Sequence, residues 1–366
     1  MLEFNHEALS ALGMTPALAR HAMLLETVSD AGDGPPRLSR IIEVHRDSVM
    51  VHDGHEAGVA RVRPRLIHVL QEEDLALGVG DWVVVVVDRH GDGWVSHRLP
   101  PSSHIARRDA DGRSHTVVSN VDVAMVVMGL DDDFNPRRLE RFLAVVRDDS
   151  IVKVAVLTKA DTLASHTVEA RVALLSTRLP SGLPIMAVNA MATATVDALG
   201  DYLRPGWTLV MLGSSGAGKS TLTNTLLGAK VQDTGAVRAS DGRGMHTTTS
   251  RSLHLLPCGA CVIDTPGLRT LRPDGDEASL ARSFSDIDAL ARGCRFRDCR
   301  HDDEPGCAVR AGVDADRLDN YHKLLREMRR DTLTALDRRR QVAQWKVRGR
   351  ATKARMKQKR GGESPW

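Results

Sequence analysis

The residues Gly213-Ser214-Ser215-Gly216-Ala217-Gly218-Lys219-Ser220-Thr221 carry the spacing GxxxxGK[ST]. Glycines at these positions let the backbone curl until successive N–H groups face an anion. A helix that starts at the loop adds partial positive charge. Lys219 can reach β- and γ-phosphates, and the Ser220 hydroxyl can ligate Mg²⁺. Downstream, Cys261-Val262-Ile263-Asp264-Thr265-Pro266-Gly267 supplies the complement. Its apolar run delivers Asp264 to the metal side, where a carboxylate holds Mg²⁺ through water. Gly267, lacking Cβ, lets a backbone N–H approach the γ-phosphate. Between the two lies Gly242-Arg243-Gly244-Met245-His246-Thr247-Thr248-Thr249, a polar stretch that can close on metal and γ-phosphate and release after reaction. Thr248 is the favoured metal-side hydroxyl, with Thr247 beside it; a plain surface loop is the bland alternative. This is the chemistry of nucleoside triphosphate binding and phosphoryl transfer.

The base is chosen elsewhere. Thr158-Lys159-Ala160-Asp161 follows an apolar run at 152–157, which places it at the carboxyl end of a strand, where α/β sheets bind ligands. An Asp161 carboxylate can accept from both N1–H and the N2 amino group of guanine, a pair that adenine lacks. The Lys159 stem can lie over the base. Asn189-Ala190, at the end of the next apolar run, can offer the Ala190 N–H to guanine O6. Each motif alone is weak, but together they select guanine. Their order is unusual, because Thr158 stands 55 positions before Gly213. In most GTPases the base motif follows the phosphate loop. One sheet can be built from a permuted chain when the original termini lie close in space.

These motifs require strands that end at them and helices that leave them. Apolar runs at 121–130, 152–158, 184–189 and 208–212 alternate with helical patterns at 136–147, 167–178, 194–203 and 219–227. This predicts a three-layer α/β domain with a mainly parallel sheet. Ahead of it, short strands are expected at 38–44, 48–52, 59–65, 82–88 and 94–99, parted by turn residues. Five strands in that length fit a small closed barrel of the OB type. Arg61, Arg63 and Arg65 would alternate along one strand and share a face, for RNA or simply for solvent. Residues 276–345 read as helical around a Cys/His loop. The expected divisions are therefore an N-terminal segment at 1–36 with a short helix and a linker, a barrel at 37–103, a nucleotide domain at 104–275, a helical domain at 276–345 and a basic tail at 346–366.

Cys294-x₄-Cys299-x-His301-x₅-Cys307 offers three thiolates and an imidazole, a common structural zinc set with no open position for catalysis. Five cysteines are too unevenly placed for a disulfide framework. Cys258-x₂-Cys261 has metal spacing but no further ligand nearby, and reads as structural. The net charge of +3 conceals an asymmetry: residues 338–360 hold eleven Lys or Arg and no acid, leaving 39 basic against 47 acidic residues elsewhere. Such a segment suits a polyanion, first of all nucleic acid. With 27% charged and 42% hydrophobic residues the composition is that of a globular protein. No run approaches the roughly 20 apolar residues needed to cross a bilayer. The N-terminus lacks a secretory pattern, so a cytoplasmic protein without membrane partners is expected.

Over residues 38 to about 345 the chain resembles the ribosome small subunit-dependent GTPase A family. The resemblance rests on Thr158–Asp161, Gly213–Thr221, Gly244–Thr249, Asp264–Gly267 and the Cys/His cluster. It implies a circularly permuted GTPase between an OB-fold barrel and a zinc-binding helical domain, working as a monomer with GTP or GDP, Mg²⁺ and one structural Zn²⁺. It further implies docking on the small ribosomal subunit and its rRNA late in maturation, with hydrolysis driving release. Two departures stand out. The base motif begins with Thr158 where the family more often has Asn, and Met245 occupies a position that is often basic. A threonine hydroxyl can still tie the motif to the phosphate loop. Leu268, following Gly267, cannot orient water as the glutamine of many GTPases does. Slow intrinsic hydrolysis is therefore expected, with His246 a candidate water-orienting group or else a solvated loop histidine. A P-loop phosphotransferase and a non-enzymatic RNA-binding zinc protein are the rival readings.

Overall fold

A computed structural model describes residues 2, 4–25, 34–73, 75–108, 114–229, 251–265 and 277–331. His246, Thr248 and Gly267, with Met245, Thr247, Leu268 and the basic tail, lie outside the described residues.

The chain starts with two helices, α1 (His6–Ser10) and α2 (Pro16–Leu24). Each has a side-chain N-cap: Asn5 accepts from the Ala8 N–H and Thr15 from the Leu18 N–H, with Pro16 in the first turn. Strands β1 (Arg37–Val44), β2 (Val49–His52) and β3 (Ala57–Val62), helix α3 (Pro64–Glu72), and strands β4 (Trp82–Val87) and β5 (Gly93–Arg98) follow. The pairings β1–β2–β3–β5–β4–β1 close a five-stranded barrel in which only β3 and β5 run parallel. This is the OB-type barrel. The third strand stops earlier than expected, because Pro64 cannot donate to a ladder but suits the first turn of a helix. Arg61 therefore remains on β3, Arg63 caps α3 and Arg65 lies inside the helix, so the three do not share a strand face. The Val83–Val87 run is apolar on both faces for a visible reason. Val83 and Val85 point into the barrel core with Ile41, Val51 and Val95, while Trp82 and Val84 pack under α1 and α2 against Leu9, Leu18 and Leu38.

A hairpin of β6 (His104–Arg108) and β7 (Ser114–Ser119), not anticipated from the sequence, leads into the α/β domain. That domain contains β8 (Val123–Gly129), α4 (Pro136–Val145), β9 (Val152–Thr158), α5 (Ser165–Arg178), β10 (Ile185–Ala187), α6 (Ala194–Ala198), β11 (Thr208–Leu212), α7 (Lys219–Leu227), β12 (Ser252–Leu255) and β13 (Cys261–Asp264). The strand order is β10-β9-β8-β11-β13-β12, parallel except for β12. Alternation along the strands makes the three layers. Ala124, Val126, Met128, Ala155, Leu157, Val210 and Leu212 face α4, α5 and the β6–β7 hairpin. Val123, Met125, Val127, Val154, Val156, Leu209 and Met211 face α6 and α7. The helix expected over 194–203 breaks at Leu199 and continues as a 3₁₀ turn at Gly200–Tyr202, a glycine costing helix stability there.

The β1–β12 pairing, Glu43 opposite Ser252, joins barrel and nucleotide-domain sheet. Helices α8 (Glu277–Ser283), α9 (Ser285–Ala291), α10 (Ala308–Gly312) and α11 (Ala315–Asp331) form the last domain, whose core of Leu280, Phe284, Ile287, Val309 and Leu324 includes Ala144 of α4. Glu140 of α4, buried, accepts from Arg178 at 3.0 Å, Arg317 at 2.8 Å and Asn320 at 2.5 Å, and Arg141 pairs both its terminal nitrogens with Glu327. No described helix is long and apolar enough to cross a membrane.

Candidate nucleotide site and metal cluster

The phosphate loop turns between the central strand β11 and helix α7. Two glycines are sterically required. A Cβ on Gly213 would sit 2.2 Å from the Val127 carbonyl oxygen, and Gly218 adopts φ +89° with Thr158 Oγ1 3.0 Å from where its Cβ would be. Ser215 and Gly216 lie exposed at the loop's crest, Ala217 is buried beneath it, and Ser220 and Thr221 open α7. Lys219 is buried, its ammonium donating to the carbonyls of Gly213 at 2.9 Å and Ser214 at 2.6 Å. Burial pulls its pKa below the ordinary lysine value, with the charges of Asp264 and Asp133 opposing.

Asp264 ends β13 beside the loop. Its Oδ2 lies 3.4 Å from Ser220 Oγ, while Oδ1 is buried with no hydrogen-bond partner among the described residues. Burial pushes this carboxyl above its ordinary range, against the charges of Lys219 and His254. A buried carboxylate oxygen without a donor, next to a serine hydroxyl, is the donor set a hard divalent cation takes.

The residues expected to read the base lie at the adjoining strand ends. Thr158, buried at the end of β9, donates its hydroxyl to the Ala217 carbonyl at 2.6 Å, tying this motif to the phosphate loop. Lys159 takes a left-handed backbone (φ 60°), and Ala160–Thr162 form a 3₁₀ turn that leaves Asp161 exposed at the sheet's carboxyl edge. Asn189 shapes the neighbouring turn, its Oδ1 accepting from the Met191 N–H at 2.9 Å. The Ala190 carbonyl accepts from Thr225 of α7 at 2.6 Å, a second tie between base and phosphate sides.

Sequence reasoning overlooked the loop after β8. Asp131 Oδ2 receives the Lys159 ammonium at 2.6 Å, and both carboxylate oxygens of Asp133 lie 2.8 Å from the Ser214 hydroxyl. The signal was present as an acidic run, Asp131-Asp132-Asp133, directly after the apolar strand, at a strand's carboxyl end.

In the helical domain Cys294, Cys299, His301 and Cys307 bring their ligand atoms within 4.8 Å of one another. Cys294 Sγ is 3.9 Å from Cys307 Sγ, and His301 Nδ1 is 3.6 and 3.5 Å from these two sulfurs. The four can hold a metal ion. Cys258 is exposed and Cys261 buried, and neither joins such a cluster among the described residues.

Fold and site together define a circularly permuted P-loop GTPase, preceded by an OB-type barrel and followed by a helical domain with a Cys/His metal cluster. The RsgA GTPase family profile matches residues 98–273. A small ribosomal subunit biogenesis GTPase RsgA of Xanthomonas oryzae pv. oryzae is 45% identical over 294 residues, covering 78% of this chain and 79% of that protein. The protein of the same name from Xanthomonas axonopodis pv. citri is 45% identical over 298 residues, covering 79% and 80%. This chain belongs to the RsgA GTPase family. Among solved structures, YjeQ from Thermotoga maritima superposes with a TM-score of 0.57 at 24% identity, covering 80% of this chain and 98% of that one. YloQ, described as a circularly permuted GTPase, gives 0.53 at 21% identity, covering 84% and 99%. These two likenesses bear on the fold.

Thr158→Val keeps the buried shape but leaves the Ala217 carbonyl without its donor. Guanine nucleotide affinity should fall about tenfold, with Thr158→Ser retaining most of it. Titration with a fluorescent guanine nucleotide reads this directly. Equal affinity in the Val variant would show that the tie does not hold the loop.

Proposed function

We propose that this protein is a GTPase that assists late maturation of the small ribosomal subunit, binding its rRNA and hydrolysing GTP to GDP and phosphate for checkpoint and release. One observation carries the guanine-nucleotide reading. The base motif at Thr158–Asp161 and the phosphate loop at Gly213–Ser220 meet at one sheet edge, joined by the Thr158–Ala217 hydrogen bond. The ribosomal partner is drawn from the relatives' name.

In this reading Asp161 accepts from guanine N1–H and the N2 amino group, the Ala190 N–H meets O6 and the Lys159 stem covers the base. Lys219 and the N–H groups of the phosphate loop stabilise charge on the β- and γ-phosphates. Ser220 and Asp264 hold Mg²⁺, with Thr248 as a further hydroxyl and the Gly267 N–H at the γ-phosphate. A bound Mg²⁺ would supply positive charge against the negative charge that develops on the phosphates. Leu268 cannot polarise water, so the isolated protein turns over slowly. Docking on the subunit completes the site, with His246 the candidate to orient the attacking water. Barrel, helical domain and the basic tail at 346–366 contact rRNA phosphates. The work is cytoplasmic, where small subunits mature.

The Cys/His cluster holds a structural Zn²⁺. A tetrahedral zinc with bonds of about 2.3 Å to sulfur and 2.0–2.1 Å to nitrogen has S···S edges of roughly 3.8 Å and S···N edges of roughly 3.6 Å. The Cys294–Cys307 separation of 3.9 Å and the Cys294–His301 separation of 3.6 Å support that size of ion. Four protein ligands leave no open position. Metal analysis of the purified protein should find one zinc per chain, lost in Cys307→Ser together with the helical domain's cooperative melting. Another metal, or none, would remove this part of the reading.

GTP turnover with small subunits, large subunits or neither tests the functional claim. Small subunits alone should stimulate, and Lys219→Ala should abolish turnover in every case. No stimulation by small subunits would overturn the ribosomal reading.

A further inference from the structure

Lys159 begins from a left-handed backbone position, and a four-carbon stem rooted there has many rotamers to lose when it is laid over a purine. The loop after β8 removes that freedom in advance. Asp131 presents Oδ2 to the ammonium at 2.6 Å and turns Oδ1 to the Asp133 N–H at 3.3 Å, so one carboxylate is held by its own loop while it holds the lysine. The loop itself is anchored on every side. The Leu130 N–H donates to the Thr158 carbonyl at 2.9 Å, and Arg171 donates to the Leu130 carbonyl while stacking on Phe134 with 4.8 Å to the ring centre. The Gly129 N–H donates to Asp133 at 3.2 Å, and a Cβ on Gly129 would lie 2.4 Å from Asp131 Oδ1. Asp133 accepts from the Ser214 hydroxyl. The loop thus touches Thr158 and Lys159 on the base side and Ser214 on the phosphate side.

We propose that Asp131 is a positioning residue for guanine nucleotide binding: it presets Lys159 over the base, from a loop whose own place is set by the phosphate loop through Asp133 and Ser214. This rests on the guanine-nucleotide reading above. Lys159 and Asp131 keep 33% and 38% side-chain exposure, so the pair's Coulomb contribution to folding is small. Its effect falls on binding, because a lysine already ordered in the free protein need not be immobilised by the ligand. Burial opposes the ionisation of Asp131. The Lys159 and Asp133 hydrogen bonds outweigh it and hold the carboxyl below its ordinary range.

The test is a double-mutant cycle on the full chain with GDP, IDP and ADP as probes and Mg²⁺ present. Asp131→Asn should weaken GDP and IDP by the same factor, about three- to tenfold, because the lysine stem stacks on either purine while Asp161 alone reads the N2 amino group. In a Lys159→Ala background the same substitution should cause no further loss. Asp132→Asn, at an exposed neighbour, should bind as the parent does. Parent-like affinity in Asp131→Asn overturns the proposal. So does equal weakening in both backgrounds, which marks general damage to the loop, and so does a changed GDP-to-IDP ratio, which places the effect on Asp161. A parent protein that binds ADP as tightly as GDP overturns the guanine reading instead.

Discussion

Arg40 is wholly buried, and the assembly of the first two domains turns on satisfying it. Its guanidinium donates to the carbonyls of Leu12, Gly80 and Asn120 and to the Thr208 hydroxyl, with the Trp82 ring 5.5 Å away. Burial pulls its pKa down against the charges of Asp122 and Asp81, but arginine stays charged in proteins. A charge taken out of water is tolerable only if its donors are met. Meeting them here requires four parts of the chain at once: the turn after α1, the turn before β4, the turn between β7 and β8, and the start of β11. The barrel therefore has one position against the sheet. Thr208, one of the acceptors, begins the strand that ends in the phosphate loop, so the junction and the site share β11.

The second junction works by the same physics with the opposite sign. Glu140 of α4 is a buried anion that collects Arg178 of α5 and Arg317 and Asn320 of α11. Arg317 in turn is held by Asp286 of α9 through two bonds of 2.8 and 2.6 Å. The metal-cluster domain is thereby fixed to the helices that carry the base side of the sheet. Permutation makes both junctions direct. The sheet order puts β8 and β9, read early in the chain, next to β11, and β12 and β13, read late, on the other flank, where Ser252 pairs with both Asp264 and Glu43.

Much of this was legible in the sequence where local and tertiary demands agree. Thr208–Leu212 and Lys219–Leu227 have the predicted bounds, because a short apolar strand and a Gly-Lys-Ser turn admit little else. The five barrel strands and the Cys/His cluster were also readable, from turn residues and from ligand spacing. What escaped depended on partners distant in sequence. Pro64 was passed over inside an alternating Arg pattern, although its ring ends a strand and starts a helix. The β6–β7 hairpin alternates too weakly to announce itself, and Ile105, Val117 and Val118 are buried in a core shared with β8 and α4. The N-terminal helices cover Trp82, whose outward side no periodicity could assign. Asp131 and Asp133 gain a role only where β8 ends between β9 and β11, a neighbourhood that no local pattern in the sequence announces.

The central claim is that this permuted sheet edge reads guanine through Asp161. Asp161→Asn tests it most directly, with GDP and xanthosine diphosphate compared on the same protein. An asparagine amide can donate to the 2-oxo group of xanthine, whereas the carboxylate it replaces can only accept. The account predicts that preference moves from guanine to xanthine by on the order of 100-fold, with the phosphate loop unchanged. A variant that keeps its preference for GDP, or a parent protein indifferent to the base, would contradict it.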